Sequence, residues 1–104
     1  MVKEMLPQAE IYVHEDDCVR QIDGFIGLND NYIEGIFVKK GAQSKGIGKQ
    51  LLNRAKEVRS PLRLSVYQKN TKAVQFYLRE GFDIQFENIN NHTGEKEFVM
   101  VWNR

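Results

Sequence analysis

The sequence predicts an α/β domain of the α+β, mixed-sheet kind, with elements in the order β-β-β-α-β-α-β-β. Three observations carry this. Short alternating runs with turn signals between them fill the first third of the chain. Two helix-period segments follow, each leading into a strand. Two strands and a hairpin loop close the chain. A strand, helix and strand in succession imply a right-handed crossover and parallel pairing there. The 104 residues suffice for one domain, 1–104, and are too few for two.

Glu10 to His14 reads as the first strand, with Ile11 and Val13 alternating against Tyr12. Glu15-Asp16-Asp17 is a polar turn. Val19 to Leu28 is the second strand, and Gly24 and Gly27 within it predict a bulge or a close backbone approach. Asn29-Asp30-Asn31 turns the chain into a third strand, Tyr32 to Val38. Lys39 to Lys45 is a short loop. Ile47, Leu51, Leu52, Ala55 and Val58 then recur at the spacing of one buried helix face, and Pro61 ends that helix. Leu62 to Tyr67 is a strand. Asn70 is placed as the N-cap of a second helix to about Glu80, with Gly81 as its C-terminal glycine. Phe82 to Ile89 and Lys96 to Trp102 are strands joined by Asn90-Asn91-His92-Thr93-Gly94.

The hydrophobic share of 41% supports a packed core. A net charge of +1 argues against nucleic acid or an anionic membrane as partner. No run approaches the ~18 apolar residues of a membrane span, and residues 1–6 lack the apolar stretch of a signal peptide. The single cysteine, Cys18, cannot form an internal disulfide and reads as a strand residue without redox role; a cytoplasmic location is expected. No Cys/His/Asp spacing points to a metal. His14 and His92 read as surface histidines apart from the motif below.

The chemically informative stretch runs from Gly35 to Lys49: a strand, a short loop with Gln43-x-x-Gly46-x-Gly48, then the helix. The first-turn amides of a helix lack internal partners, and the helix dipole adds positive charge there, which suits a diphosphate. Gly46 and Gly48 permit close approach, and Lys45 and Lys49 add charge. A Walker A loop would need Lys and Ser/Thr where Ile47 and Gly48 stand. A dinucleotide fingerprint would need glycine at Leu51 and an acidic residue near Ser65 and Val66.

The stretch resembles the coenzyme A loop of the GNAT N-acetyltransferase superfamily. Asn70-x-x-Ala73-x-x-Phe76-Tyr77-x-x-x-Gly81-Phe82 resembles that superfamily's second signature. The two are separated by one helix and one strand, as in the family. The resemblance implies an acyl-CoA N-acyltransferase fold with acetyl-CoA as cosubstrate and an amine as acceptor: a protein lysine, a peptide N-terminus or a small amine. It implies that backbone groups of Ile36, Phe37 and Val38 pair with the pantetheine arm. Gln43, Ser44, Lys45, Gly46, Ile47, Gly48 and Lys49 would hold the diphosphate, and Asn70, Ala73, Phe76 and Tyr77 would complete the cofactor site. Tyr77 would protonate the leaving thiolate. Glu34, which shares strand parity with Ile36 and Val38, is the candidate base. The family's usual opening strand and helices are not expected in this chain, whose first strand is read as the family's second. An open sheet face would follow, and with it a homodimer. The alternative function is a non-catalytic acyl-CoA-binding or dimer-forming module.

Overall fold

The computed structural model describes residues 2–6, 10–16, 18 and 20–104, apart from the side chains of Met5, Leu6, Gln43 and Ser44. They form two compact units, 1–59 and 60–104.

The first unit is an antiparallel meander of β1 (Val2–Leu6), β2 (Ile11–Glu15), β3 (Ile22–Asn29) and β4 (Tyr32–Val38). A 3-10 turn (Lys40–Lys45) leads into helix α1 (Ile47–Val58). Strand β1 is one more than the sequence predicts. Its five residues place Lys3 and Glu4 side by side, so no apolar alternation announces it; its order comes from pairing with β2, where Lys3 faces Val13. The second predicted strand begins at Ile22, later than expected; Val19 and Asp17 lie outside the described residues. Cys18 is free, exposed and in the β2–β3 turn, not in a strand.

Helix α1 buries Ile47, Leu51, Leu52 and Ala55, the face its periodicity marked. They pack on the sheet face that carries Tyr12, Ile26, Leu28 and Ile33, all buried. Tyr12 belongs to this core, contrary to its expected polar position. The Arg54 guanidinium of α1 lies 5.5 Å from its ring centroid, and burial together with a hydrogen bond to Glu4 raises its hydroxyl pKa. Gly24 is a close approach: a Cβ there would lie 3.0 Å from Ile47 Cγ2 and the Phe37 carbonyl, and 3.1 Å from Leu51 Cδ1.

Two register shifts shape β3 and β4. Gly24 faces Val38, Ile26 faces Ile36 and Gly27 faces Gly35, but Leu28 faces Ile33, so Glu34 is the extra residue of a bulge. At the other end of β3, His14 faces Gly24 while Glu15 faces Ile22, so Asp23 is extra. Each shift reverses the side-chain alternation on one side of itself.

The second unit holds β5 (Leu62–Tyr67), α2 (Thr71–Arg79), β6 (Asp83–Ile89) and β7 (Lys96–Trp102). Strand β7 pairs antiparallel with both β5 and β6 and lies between them. Leu62, Leu64, Val66, Val99, Met100, Val74, Tyr77 and Phe82 form its core. The Asn70 side chain accepts the Ala73 N–H at 3.2 Å and caps α2 as expected, while Gly81 adopts φ 93° just past its end. In the β6–β7 loop, the Asn90 side chain accepts the N–H groups of His92 and Thr93. Every residue of β6 is exposed.

Candidate active site

The loop between β4 and α1 leads into the helix through a left-handed glycine. Gly46 lies at φ 74°, ψ 15°, the left-handed region that glycine enters without penalty. It ends the 3-10 turn and starts α1, its carbonyl accepting the Gln50 N–H at 3.1 Å. Glycine at the helix start has no side chain with which to cap the first-turn amides, and that turn carries no acidic residue. The space where a Cβ would project from Gly46 is open to 4 Å. Lys45 and Lys49 are exposed on either side of Gly46. The sequence predicts only a loop where the structure has this 3-10 turn. The turn orients the backbone of Gln43 and Ser44 immediately before that helix start; their side chains lie outside the described residues.

Strand β4 brings Ile36, Phe37 and Val38 to the loop entrance, and Lys39 N–H donates to the Asp23 carbonyl at 2.7 Å. Phe37 is 54% exposed and stacks on Phe25, itself 42% exposed, with ring centroids 5.7 Å apart. The bulge places Ile33, not Glu34, on the face of Ile36 and Val38, because Leu28, Ile26 and Gly24 on the partner strand keep one face. Glu34 is an exposed carboxylate that accepts a hydrogen bond from the Asn29 amide at 3.1 Å.

Helix α2 carries the second group. Tyr77 is 7% exposed, with its ring edge-on to Phe76 at 5.3 Å and to Phe82 at 5.7 Å. Burial pushes its hydroxyl up to about 12. The group therefore holds its proton at neutral pH. The single side-chain oxygen of Asn70 accepts the Ala73 N–H and caps the helix, and Ala73 and Phe76 are half-buried on α2.

His14 departs from the surface position its sequence context predicts. It is not at the surface: His14 Nδ1 lies 2.6 Å from Asp23 Oδ1, and both residues are buried. Among the described residues, no cluster of three or more His, Cys, Asp or Glu side chains is placed to hold a metal.

A family model described as an acetyltransferase (GNAT) domain matches residues 7–84. The chain belongs to the GNAT acetyltransferase family. It is 31% identical over 84 residues to the peptidyl-lysine N-acetyltransferase YjaB of Salmonella typhimurium, which covers 81% of this chain and 57% of that protein. It is 32% identical over 98 residues to the peptidyl-lysine N-acetyltransferase YiaC of Escherichia coli, covering 93% of this chain and 66% of that one. The chain thus spans less than two thirds of the length of these curated relatives. In structure it is similar to a putative streptothricin acetyltransferase from Bacillus anthracis in complex with acetyl coenzyme A, with a TM-score of 0.81 and 28% identity over 90% of this chain and 61% of that one. The fold class is therefore that of the GNAT acyl-CoA N-acyltransferases, as the two signatures implied. Helix α1 and the loop before it, helix α2 and the turn after it through Phe82 all fall within the matched family segment.

Proposed function

We propose that this protein is an acetyl-CoA-dependent N-acetyltransferase whose acceptor is the side-chain amine of a lysine in a protein. The observation that carries the reading is the uncapped start of α1 behind a left-handed Gly46, in a GNAT chain similar to two peptidyl-lysine acetyltransferases. The diphosphate of acetyl-CoA binds the first-turn amides of α1, with Lys45 and Lys49 adding charge. The pantetheine arm runs along β4 at Ile36, Phe37 and Val38. The neutral amine attacks the thioester carbonyl, and a backbone N–H near Val38 stabilises the oxyanion that forms. Collapse of that intermediate breaks the C–S bond, and the attacking nitrogen gives its extra proton to the base or to water, leaving a neutral amide. Tyr77 transfers its proton to the departing thiolate. The burial that keeps Tyr77 neutral also weakens it as an acid, so it serves best where the thiolate is itself desolvated.

The amine must lose a proton before or during attack. Glu34 is the base to be tested, as an exposed carboxylate on the strand that would hold the thioester. We also propose that the protein works in the cytoplasm and as a homodimer. The dimer is supported by Phe25 and Phe37, which form a half-exposed aromatic pair on one sheet face, with Ile22 45% exposed nearby in β3.

The deciding experiment is incubation with acetyl-CoA and a panel of lysine peptides, followed by mass spectrometry and by assay of released thiol. Acetylated lysine with matching thiol release supports the reading. Stoichiometric CoA binding without turnover on any amine overturns it in favour of a non-catalytic acyl-CoA-binding module.

A further inference from the structure

The loop of residues 39–47 rests on one corner of β3 at both of its ends. At its start, Lys39 N–H donates to the carbonyl of Asp23 at 2.7 Å. At its finish, Ile47 packs against Gly24, so closely that a Cβ there would sit 3.0 Å from Ile47 Cγ2. Asp23 also shares a cleft of about 200 Å³ with Lys39, Gly41, Ala42 and Lys45. The placement of the Asp23–Gly24 corner therefore fixes where the loop begins and where α1 starts.

Asp23 is itself held from a third direction. It is the extra residue of the β2–β3 bulge, which turns its carboxylate toward His14 on the neighbouring strand. His14 Nδ1 and Asp23 Oδ1 are 2.6 Å apart, and the side chains are only 11% and 10% exposed. A carboxylate only accepts, so Nδ1 carries the hydrogen and donates it. A hydrogen bond to an ionised acceptor away from water is stronger than one between neutral groups. The pair stands outside every group invoked for catalysis above.

We infer that His14 and Asp23 are positioning residues for the diphosphate of the acyl donor, acting through the Asp23–Gly24 corner on the loop that binds it. The inference rests on the reading of that loop as the acetyl-CoA site. It makes a demand that a merely structural pair would not: loss of the hydrogen bond must weaken only those ligands that carry the diphosphate. Pantetheine, which lacks it, must be unaffected.

The test compares CoA with S-acetylpantetheine, the first by calorimetry and the second by NMR titration, on the wild type and on Asp23→Ala, His14→Phe and Asp23→Asn. The expected result is a CoA Kd raised on the order of tenfold in Asp23→Ala and His14→Phe, with the pantetheine Kd unchanged. Asp23→Asn keeps an acceptor for the His14 N–H and returns most of the CoA affinity. His14→Phe fills the same space with an apolar ring and carries the test should Asp23→Ala fail to fold. Equal loss for both ligands overturns the inference, as does a variant that binds CoA like the wild type. Failure of Asp23→Asn to restore affinity overturns the hydrogen-bond route. A wild type that binds acetylpantetheine or nothing, and gains nothing from the diphosphate, overturns the loop assignment first and this inference with it.

Discussion

Replacing Gly46 by Asn and by Asp separates the fold's need for glycine from the ligand's. Gly46 sits at φ 74°, ψ 15°, where most side chains cost about 1–2 kcal/mol and Asn and Asp somewhat less. A Cβ at this position meets nothing within 4 Å, so neither substitution clashes with the protein. Asn and Asp have the same shape and differ by one negative charge. In the free protein that charge sits at a helix start, where it contributes about 0.3–1 kcal/mol of stability. Gly46→Asp therefore unfolds at the same temperature as Gly46→Asn or slightly above it. In the complex the sign reverses. A carboxylate about 6 Å from a phosphate, at an effective dielectric of about 30, is repelled by roughly 2 kcal/mol. That predicts a CoA Kd about thirtyfold weaker for Gly46→Asp than for Gly46→Asn. The repulsion is screened by salt, so the ratio narrows as ionic strength rises.

The assay is calorimetric titration with CoA at two salt concentrations, beside thermal unfolding of the free proteins. Opposite orders of stability and affinity are the signature sought. Equal CoA affinities for the two variants would refute the placement of the diphosphate at the start of α1, whatever their absolute values.

Other expectations follow from the same structure. Tyr77→Phe should lower kcat and leave CoA affinity nearly intact, since the ring packing on Phe76 and Phe82 is kept; undiminished kcat would assign Tyr77 to the core alone. The folded-state pKa of Tyr77, about 12 against 10 for a free tyrosine, means its contribution is full below pH 10 and is lost between pH 10 and 12, about 2–3 kcal/mol in all. Alkaline denaturation of Tyr77→Phe should be shallower in that window, and an unchanged slope would count against the buried hydroxyl. Asn70→Ala removes the cap on the Ala73 N–H and should cost about 1 kcal/mol by chemical denaturation. Glu34→Gln should lower kcat/KM if Glu34 is the base, and an undiminished kcat/KM would hand that role to water. Phe37→Glu should shift sedimentation toward monomer; a wild type that already sediments as a monomer would end the dimer proposal.

The parts of this fold that could be read from the sequence are those whose cause is local. Strands β4, β5 and β7 and helix α1 fall where their own alternation, helical period or punctuation put them. Gly46, Asn70 and Gly81 are conformational requirements that a residue type states directly. Strand β1 has no such pattern and exists through its pairing with β2.

The two bulges mark where local reading ends. A bulge is a count of two residues against one, and that count belongs to a pair of strands. Gly24 and Gly27 hinted that β3 is irregular, yet nothing in β4 alone reveals that Glu34 is the residue left over. Strict alternation then assigns Glu34 to the face of Ile36, while the structure gives that place to Ile33. The same logic hid His14 and Asp23. Alternation counted back from Gly24 puts Asp23 on the face opposite His14, and only the shift between His14 and Glu15 brings the carboxylate round to the imidazole. An interior polar pair costs stability unless both members are satisfied, so a bulge that turns Asp23 inward is tolerated because His14 is there to meet it. The corner that supports both ends of the loop before α1 thus depends on a register error in the strict pleat, and on one histidine nine residues earlier that makes that error stable.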